Sequence, residues 1–229
     1  MFNIGKVNAK RNDCLTFLEC RQCDGGMYCG SPNASTVTGS CDPGYYCIEG
    51  AAVPNPELTP TGVAGPCPEG HYCPRNTKSP LPCPLGTYSN KTRLKNVDQC
   101  ENCWFGFYCG QTGLTTYSTR CDAGFYCLRG AKVGNPDGSN ATGGPCPVGS
   151  YCPPGTGTPK GCEPGTFTNL TGQTTCQPCC AGYYCDGNSS ACDKECPPGH
   201  YCPEQTKYAE QFPCPRGYYN NKTGGVNAK

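Results

Sequence analysis

The sequence contains few of the residues from which an ordinary hydrophobic core is built. Leucine, isoleucine, valine and phenylalanine together make up 26 of its 229 residues, roughly half of what a typical soluble domain carries. A single large apolar core is therefore excluded. The formal net charge is only +1 and no lysine/arginine cluster is present, which argues against a nucleic-acid-binding surface. Because no stretch approaches 18 consecutive apolar residues, we predict no direct membrane insertion.

Cysteine, glycine and proline take the place of aliphatic residues. The chain has 25 Cys, 32 Gly and 24 Pro. Low aliphatic content combined with high net charge would indicate disorder, but the charge here is nearly balanced. The composition instead predicts a disulfide scaffold, in which cross-links substitute for apolar burial. Disulfides persist in oxidising compartments, so we expect an extracellular or cell-surface location.

One short motif recurs eleven times. Eight copies have the pattern C-x-x-G-x-Y-C, and three sister copies, C-x-x-G-[TY]-[YF], lack the second cysteine. The full motifs begin at Cys23, Cys41, Cys67, Cys103, Cys121, Cys146, Cys179 and Cys196, and the sister motifs at Cys83, Cys162 and Cys214. Their spacing defines super-repeats of about 80 residues, each opened by C-x-x-C and closed by a sister motif. We therefore predict three super-repeats, 1–99, 100–175 and a shortened copy at 176–229.

The motif itself predicts the local fold. Its glycine allows the positive φ that a tight return between two cysteines needs, and its tyrosine offers a flat face to pack on a disulfide. Such units are too small to stand alone and must stack on their neighbours. We predict small disulfide-rich repeats forming an elongated rod of short β-hairpins and turns, with almost no helix. A carbohydrate-stacking role for the tyrosines is the competing interpretation.

Two features concern the odd cysteines and the ends. The third super-repeat has lost one module but carries Cys180 and Cys192, which we interpret as a compensating pair, and Cys14 is left over. Residues 5–10 (GKVNAK) resemble residues 224–229 (GGVNAK), so the sequence is cut in phase with its own repeat. We expect either a fragment of a longer array or chains that join head to tail, and the two are compatible.

The segment from Cys83 to Cys127 resembles the cysteine-rich repeats of the tumour-necrosis-factor-receptor and ephrin-receptor-like class. The signature CPLGTYSN…CENC is most similar to the ephrin-receptor-like type, and flagellar-hair (mastigoneme) proteins are among the large extracellular proteins that such arrays resemble. The resemblance implies the disulfides Cys83–Cys100, Cys103–Cys121 and Cys109–Cys127. It also implies that Cys162 and Cys176, at the positions corresponding to Cys83 and Cys100, are disulfide-bonded.

Six N-x-[ST] sequons predict covalent N-linked glycans and no other cofactor. They lie at Asn33, Asn90, Asn140, Asn169, Asn188 and Asn221. Asn90, Asn169 and Asn221 occupy the same place after the three sister motifs, so glycans are expected at regular intervals. Incidental sequons in a threonine-rich loop protein are the alternative.

Patterns of catalytic chemistry are missing, so we expect no enzyme. Zinc is disfavoured because successive C-x-x-C pairs stand about 76–80 residues apart and four thiolates must converge on one ion. His71 and His200 occupy the same G-H-Y-C position, which favours packing. Trp104 and Phe105 form the most apolar short segment and are a possible contact patch.

Two functional hypotheses follow. The first is a structural extracellular glycoprotein that associates with itself, head to tail or with other copies of the repeat, into a filament, appendage or coat, with Cys14, Cys20 and Cys214 as possible intersubunit links. The second is the ectodomain of a receptor or adhesin that binds a protein or glycan ligand, for which Trp104, Phe105, Arg120 and Arg129 are the local candidates.

Overall fold

The computed structural model describes residues 20–57, 64–139 and 141–228. They contain eleven disulfides and seven two-stranded antiparallel hairpins, which confirms small disulfide-rich β-hairpin repeats. The one helical element among these residues is a 3₁₀ turn, Val97–Gln99. None of the described helices has the length and hydrophobicity to cross a membrane.

The hairpins pair the strand of one motif with the residues just before the next motif. They are β1 (Met27–Tyr28) with β2 (Gly39–Ser40), β3 (Tyr45–Cys47) with β4 (Ala64–Pro66), β5 (His71–Tyr72) with β6 (Leu81–Pro82), β7 (Thr87–Tyr88) with β8 (Glu101–Asn102), β9 (Phe125–Cys127) with β10 (Gly143–Pro145), β11 (Ser150–Tyr151) with β12 (Lys160–Gly161), and β13 (Thr166–Phe167) with β14 (Gln177–Pro178).

We number the eleven motifs as modules 1 to 11 in chain order. In each module the fifth residue donates its N–H to the carbonyl of the second, as Phe107 does to Trp104 at 3.1 Å. The motif glycine is the third residue of this β-turn, and all eleven motif glycines have positive φ, Gly106 at +77°. Type II turns require this conformation at that position, which explains the glycine.

The turn also determines which cysteines pair, and here two expected disulfides are wrong. The structure pairs Cys83 with Cys100, as the resemblance implies. Instead of Cys103–Cys121 and Cys109–Cys127, however, it contains Cys103–Cys109 and Cys121–Cys127. The reason is geometric: the turn brings the two cysteines of one motif to Cα separations of 6.0 and 5.8 Å, within the range a disulfide spans. All eight full motifs close on themselves in this way.

The buried interior consists mainly of these cystines. Of the 22 buried hydrophobic residues among those described, 18 are cysteines, and the others are three alanines and Leu94. Aromatic rings cover the cystines from the preceding module: Tyr28 packs against the cluster of Cys41 and Cys47, and Tyr108 against that of Cys121 and Cys127. The expectation that motif tyrosines pack on disulfides is therefore confirmed at these clusters.

The chain divides into two compact units, Met1–Cys83 with Ser89–Cys100 (unit 1) and Pro84–Tyr88 with Glu101–Lys229 (unit 2). Within unit 1, three successive module pairs are joined by backbone hydrogen bonds. Within unit 2, seven successive pairs are joined, from the turn of module 4 through module 11. Each unit is therefore a series of module-to-module junctions.

Every junction uses both polar groups of a motif glycine. Gly106 of module 5 donates its N–H to the carbonyl of Cys127 at 2.9 Å, and its carbonyl accepts the N–H of Cys121 at 2.9 Å. The same two bonds occur at all ten junctions. Buried backbone groups must be paired, so each of modules 1 to 10 completes its hydrogen bonding on the module that follows.

A second position that recurs from module to module adds two hydrogen bonds to nine of these junctions. We call the residue at this position the ladder residue. In a full motif it lies three residues after the second cysteine. In a sister module it lies four residues after the residue that stands in place of the second cysteine. At module 6 the ladder residue Gly130 donates its N–H to the carbonyl of Cys103 at 3.0 Å, and the carbonyl of the next residue, Ala131, accepts the N–H of Cys109 at 2.9 Å. The junction between modules 4 and 5 lacks these two bonds.

Ladder residues have positive φ whether or not they are glycine. Asn76, Arg93, Asn188 and Gln205 have φ between 52° and 68°, a conformation that non-glycine residues seldom adopt. Ladder carbonyls also approach the motif glycine two modules earlier. A Cβ at Gly106 would lie 2.3 Å from the carbonyl oxygen of Gly155. A module therefore makes close contacts both with the module that follows it and with the one after that.

Candidate interaction sites

Trp104 and Phe105 form an exposed aromatic patch in the turn of module 5. They are 49% and 42% exposed, and their rings meet edge to face with centroids 5.7 Å apart. The guanidinium carbon of Arg129 lies 5.1 Å from the Trp104 ring centroid, a cation–π contact. The structure thus brings together three of the four residues proposed for a partner site, whereas Arg120 forms an isolated β-bridge with Phe107.

Five of the six sequon asparagines lie in the described residues, and all five are exposed. They are Asn33, Asn90, Asn169, Asn188 and Asn221, while Asn140 lies outside the described residues. Asn188 is also the ladder residue of module 9, with φ 52° and its N–H bonded to the carbonyl of Cys162 at 2.7 Å. Exposure satisfies the first physical requirement for glycan attachment, because the modifying enzyme must reach the amide.

We predict glycan occupancy at Asn90, Asn169 and Asn221, the three exposed sequons after the sister motifs. Mass spectrometry of peptides treated with an amidase in heavy-oxygen water will mark each occupied site as aspartate. Glutamine substitution at the three sites should remove a matching share of the glycan mass without altering the fold. Unmodified asparagine at all three positions, in material secreted by a eukaryotic host, would contradict this prediction.

The cysteines proposed for special roles fall into three groups. Cys180 pairs with Cys192, as the compensating-pair interpretation expects, and Cys162 pairs with Cys176. Among the described residues Cys214 is a free, partly buried thiol, beside a groove of about 440 Å³ lined by Tyr218 and Tyr219. Cys20 is disulfide-bonded within the chain, so a direct link to Cys214 of another copy would require exchange with that bond. Cys14 lies outside the described residues.

One sulfur cluster has metal-site spacing but not metal-site chemistry. The sulfur atoms of Cys179, Cys185 and Cys192 lie within 4.8 Å of one another. All three belong to disulfides, and a disulfide sulfur is not the thiolate that binds zinc.

The two histidines occupy equivalent positions: Nδ1 of His71 lies 2.9 Å from the carbonyl of Glu69, and Nδ1 of His200 lies 3.2 Å from that of Pro198.

Two exposed carboxylates have perturbed ionisation. The Lys194 ammonium donates to both Asp186 oxygens, at 2.7 and 2.6 Å. This hydrogen bond lowers the pKa of Asp186 and raises that of Lys194. Hydrogen bonds from Ser139 lower the pKa of Asp137. Both sites are at the surface, so they fix local loop geometry and contribute little to global stability.

The Asp186–Lys194 pair makes a testable prediction about pH. Because the pKa of Asp186 is depressed, the contact is complete above the ordinary value of 3.8 and is lost as the pH falls through the depressed value. The side-chain carboxyl carbon of Asp186, followed by NMR, should titrate below 3.8. Lys194→Ala should move that midpoint back toward the ordinary value, and an unchanged midpoint would refute the pairing.

Comparison with known proteins gives a partial similarity. No family model matches the chain. The chain is 34% identical over 104 residues to the ABC transporter G family member 25 of Oryza sativa subsp. japonica, an alignment that covers 44% of the chain and 9% of that protein. The chain thus matches a small part of a much longer relative, in a segment that is itself only part of the repeat array.

Proposed function

We propose that the chain is a structural extracellular glycoprotein, a cystine-stapled array that builds a filament, appendage or surface coat by associating with itself. The observation that carries this proposal is the module junction. Each of modules 1 to 10 satisfies both polar groups of its glycine on the next module, and the cystines of modules 2 and 6 are covered by a ring of the preceding module. An array of this kind suits reach and stiffness, because its stability comes from nearest-neighbour contacts.

Three further features support the proposal. Disulfides in this number persist in an oxidising environment. The asparagines after the sister motifs are exposed, which supports the proposal that they carry hydrated glycans at regular intervals of the sequence. The expected resemblance to ephrin-receptor-like repeats and to mastigoneme proteins points to the same class of large extracellular assemblies.

Negative-stain electron microscopy of material prepared without reductant tests the proposal. Regular filaments, with an axial spacing that divides into modules, are the expected result. Non-reducing electrophoresis of the same sample will show whether Cys214 links the subunits. Particles that stay separate at the highest soluble concentration would overturn self-assembly.

A second candidate function is an ectodomain segment of a membrane protein that binds a protein or glycan ligand. The similarity to a protein named as an ABC transporter favours it, as does the exposed group of Trp104, Phe105 and Arg129. Exposed aromatic and arginine side chains are enriched at binding hot spots. Under this alternative the chain stays monomeric, and Trp104→Ala abolishes its binding to a ligand-bearing cell surface.

A further inference from the structure

We propose that the cystine Cys180–Cys192 beside module 9 is a thiol-exchange site. A small-molecule thiol such as glutathione forms a mixed disulfide there, and Cys192 then attacks the neighbouring cystine Cys179–Cys185. This inference goes beyond the proposed structural role and does not depend on whether the chain assembles. It rests on the exposure of the first cystine, on a hydrogen bond at one of its sulfur atoms, and on the distance from that sulfur to the second cystine.

Cys180–Cys192 differs in exposure from the other ten disulfides between described residues. Each of those ten includes at least one buried cysteine, whereas Cys180 and Cys192 are both partly exposed. Access of the attacking thiol is one of the factors that set the rate of thiol–disulfide exchange. An external thiol is therefore expected to react first at this cystine.

The surroundings of this cystine favour one direction of attack. The backbone N–H of Cys180 donates a hydrogen bond to Sγ of Cys192 at 3.1 Å. Such a hydrogen bond stabilises negative charge on the sulfur that accepts it, and a sulfur that carries negative charge more readily leaves faster. The external thiolate thus attacks Sγ of Cys180, and Cys192 leaves as a thiolate.

The departing sulfur lies beside a second disulfide. Sγ of Cys192 is within 4.8 Å of the sulfur atoms of both Cys179 and Cys185, which are bonded to each other. The thiolate is the nucleophile in disulfide exchange, so Cys192 attacks this bond. It forms a disulfide with one of the two sulfur atoms and releases the other as a thiolate, which takes up a proton. We call this second step the relay.

The loop that carries Cys192 is held in place by contacts other than its disulfide. The N–H of Tyr184 donates to the carbonyl of Lys194 at 3.0 Å, and the Lys194 ammonium donates to both Asp186 oxygens. Cys192 therefore stays near module 9 when its own disulfide opens. A reacting group that is held close to its target reacts as if it were at a high local concentration, which favours the relay over diffusion of a second external thiol.

The two steps together conserve the number of disulfide bonds. One external thiol enters as a mixed disulfide on Cys180, and one protein thiol is released on Cys179 or Cys185. No oxidant or reductant is consumed, because each bond that breaks is replaced by another disulfide. Module 9 can thus take up a thiol from its surroundings and remain cross-linked.

Site-resolved trapping on the folded protein tests this assignment. Free thiols such as Cys214 are first blocked with iodoacetamide. The protein is then incubated with reduced glutathione, and N-ethylmaleimide stops the reaction and labels every newly formed thiol. Peptide mapping locates the adducts. The matched control within the same chain is Cys162–Cys176, whose separation of 14 residues is close to the 12 of Cys180–Cys192 but whose Cys162 is buried.

We expect glutathione to attach to Cys180 about tenfold faster, or more, than to the control cystine. Maleimide should then appear on Cys179 or Cys185, together with a new disulfide formed by Cys192. Adduct formation at the control cystine as fast as at Cys180 would overturn the assigned site. This comparison uses the parent chain alone, so it does not depend on the folding of a variant.

The double variant Cys180→Ser with Cys192→Ser tests the relay. It removes the first cystine and keeps Cys179–Cys185, so the external thiol has no entry point. Glutathione should leave Cys179 and Cys185 unlabelled over the period in which one of them is labelled in the parent chain. Equal labelling in the parent and the variant would overturn the relay.

Discussion

Replacing Gly106 by alanine is expected to destabilise unit 2 by roughly 3 kcal/mol or more. Two effects add at this position. An L-residue at φ +77° costs about 1–2 kcal/mol, and the new methyl would lie 2.3 Å from the carbonyl oxygen of Gly155. That oxygen belongs to the backbone two modules further on, so the clash can be relieved only by opening the junction.

Gly199→Ala is the matched control for this variant. Gly199 has nearly the same φ, +80°, but no described atom within 4 Å of its Cβ position. It should therefore show the conformational cost alone, about 1–2 kcal/mol. Hydrogen exchange of the Cys121 amide, which is bonded to Gly106, and of the Cys214 amide, which is bonded to Gly199, gives the two local stabilities. Equal losses would show that close packing of motif glycines is unimportant.

Full reduction is expected to abolish the folded state. Closing each loop of six-residue separation contributes roughly 2 kcal/mol through the unfolded chain, and the structure has eleven disulfides between described residues. Their combined effect exceeds the 5–15 kcal/mol by which an ordinary domain is stable. Because 18 of the 22 buried hydrophobic residues in the described ranges are cysteines, those ranges contain no aliphatic core that could hold the modules together.

Reduction with a thiol reagent, followed by alkylation, tests this expectation. Amide proton dispersion and exchange protection should disappear throughout the described residues. Alkylation without reduction is the control, since it modifies free thiols such as Cys214 and should leave the fold intact. Persistent protection at the amides of Cys41, Cys103 and Cys146, each bonded to a motif glycine, would show that the junctions survive without the cystines.

The sequence carries enough information to predict the repeat and its chemistry. The recurrence of Gly at the fourth motif position predicts the positive-φ turn, and the structure has it at all eleven positions. The motif tyrosine predicts ring-on-cystine packing, which is present at Tyr28 and Tyr108. The turn is predictable because it depends only on residues within one motif. The ring packing is predictable because the same motif recurs in the next module, although Tyr28 contacts cysteines 13 and 19 residues further along the chain.

Two features of the structure depend on contacts that the sequence does not display. The resemblance to receptor-like repeats implies pairing between motifs, whereas the short turn here closes Cys103 on Cys109. The ladder residues are hard to recognise in the sequence because only some are glycine. Arg93 and Gln205 adopt the same positive φ, and the N–H of each is bonded to a distant cysteine carbonyl. The recurrent glycines at 50, 130 and 155, each three residues after a second cysteine, were the available signal.

Each full motif is closed by its own cystine and joined to its neighbours by backbone hydrogen bonds. The most direct test is a disulfide map of the non-reduced protein by electron-transfer mass spectrometry. We expect Cys103–Cys109 and Cys121–Cys127, with the same six-residue separation in the other full motifs. Cys103–Cys121 with Cys109–Cys127, the receptor-like pattern, would contradict it.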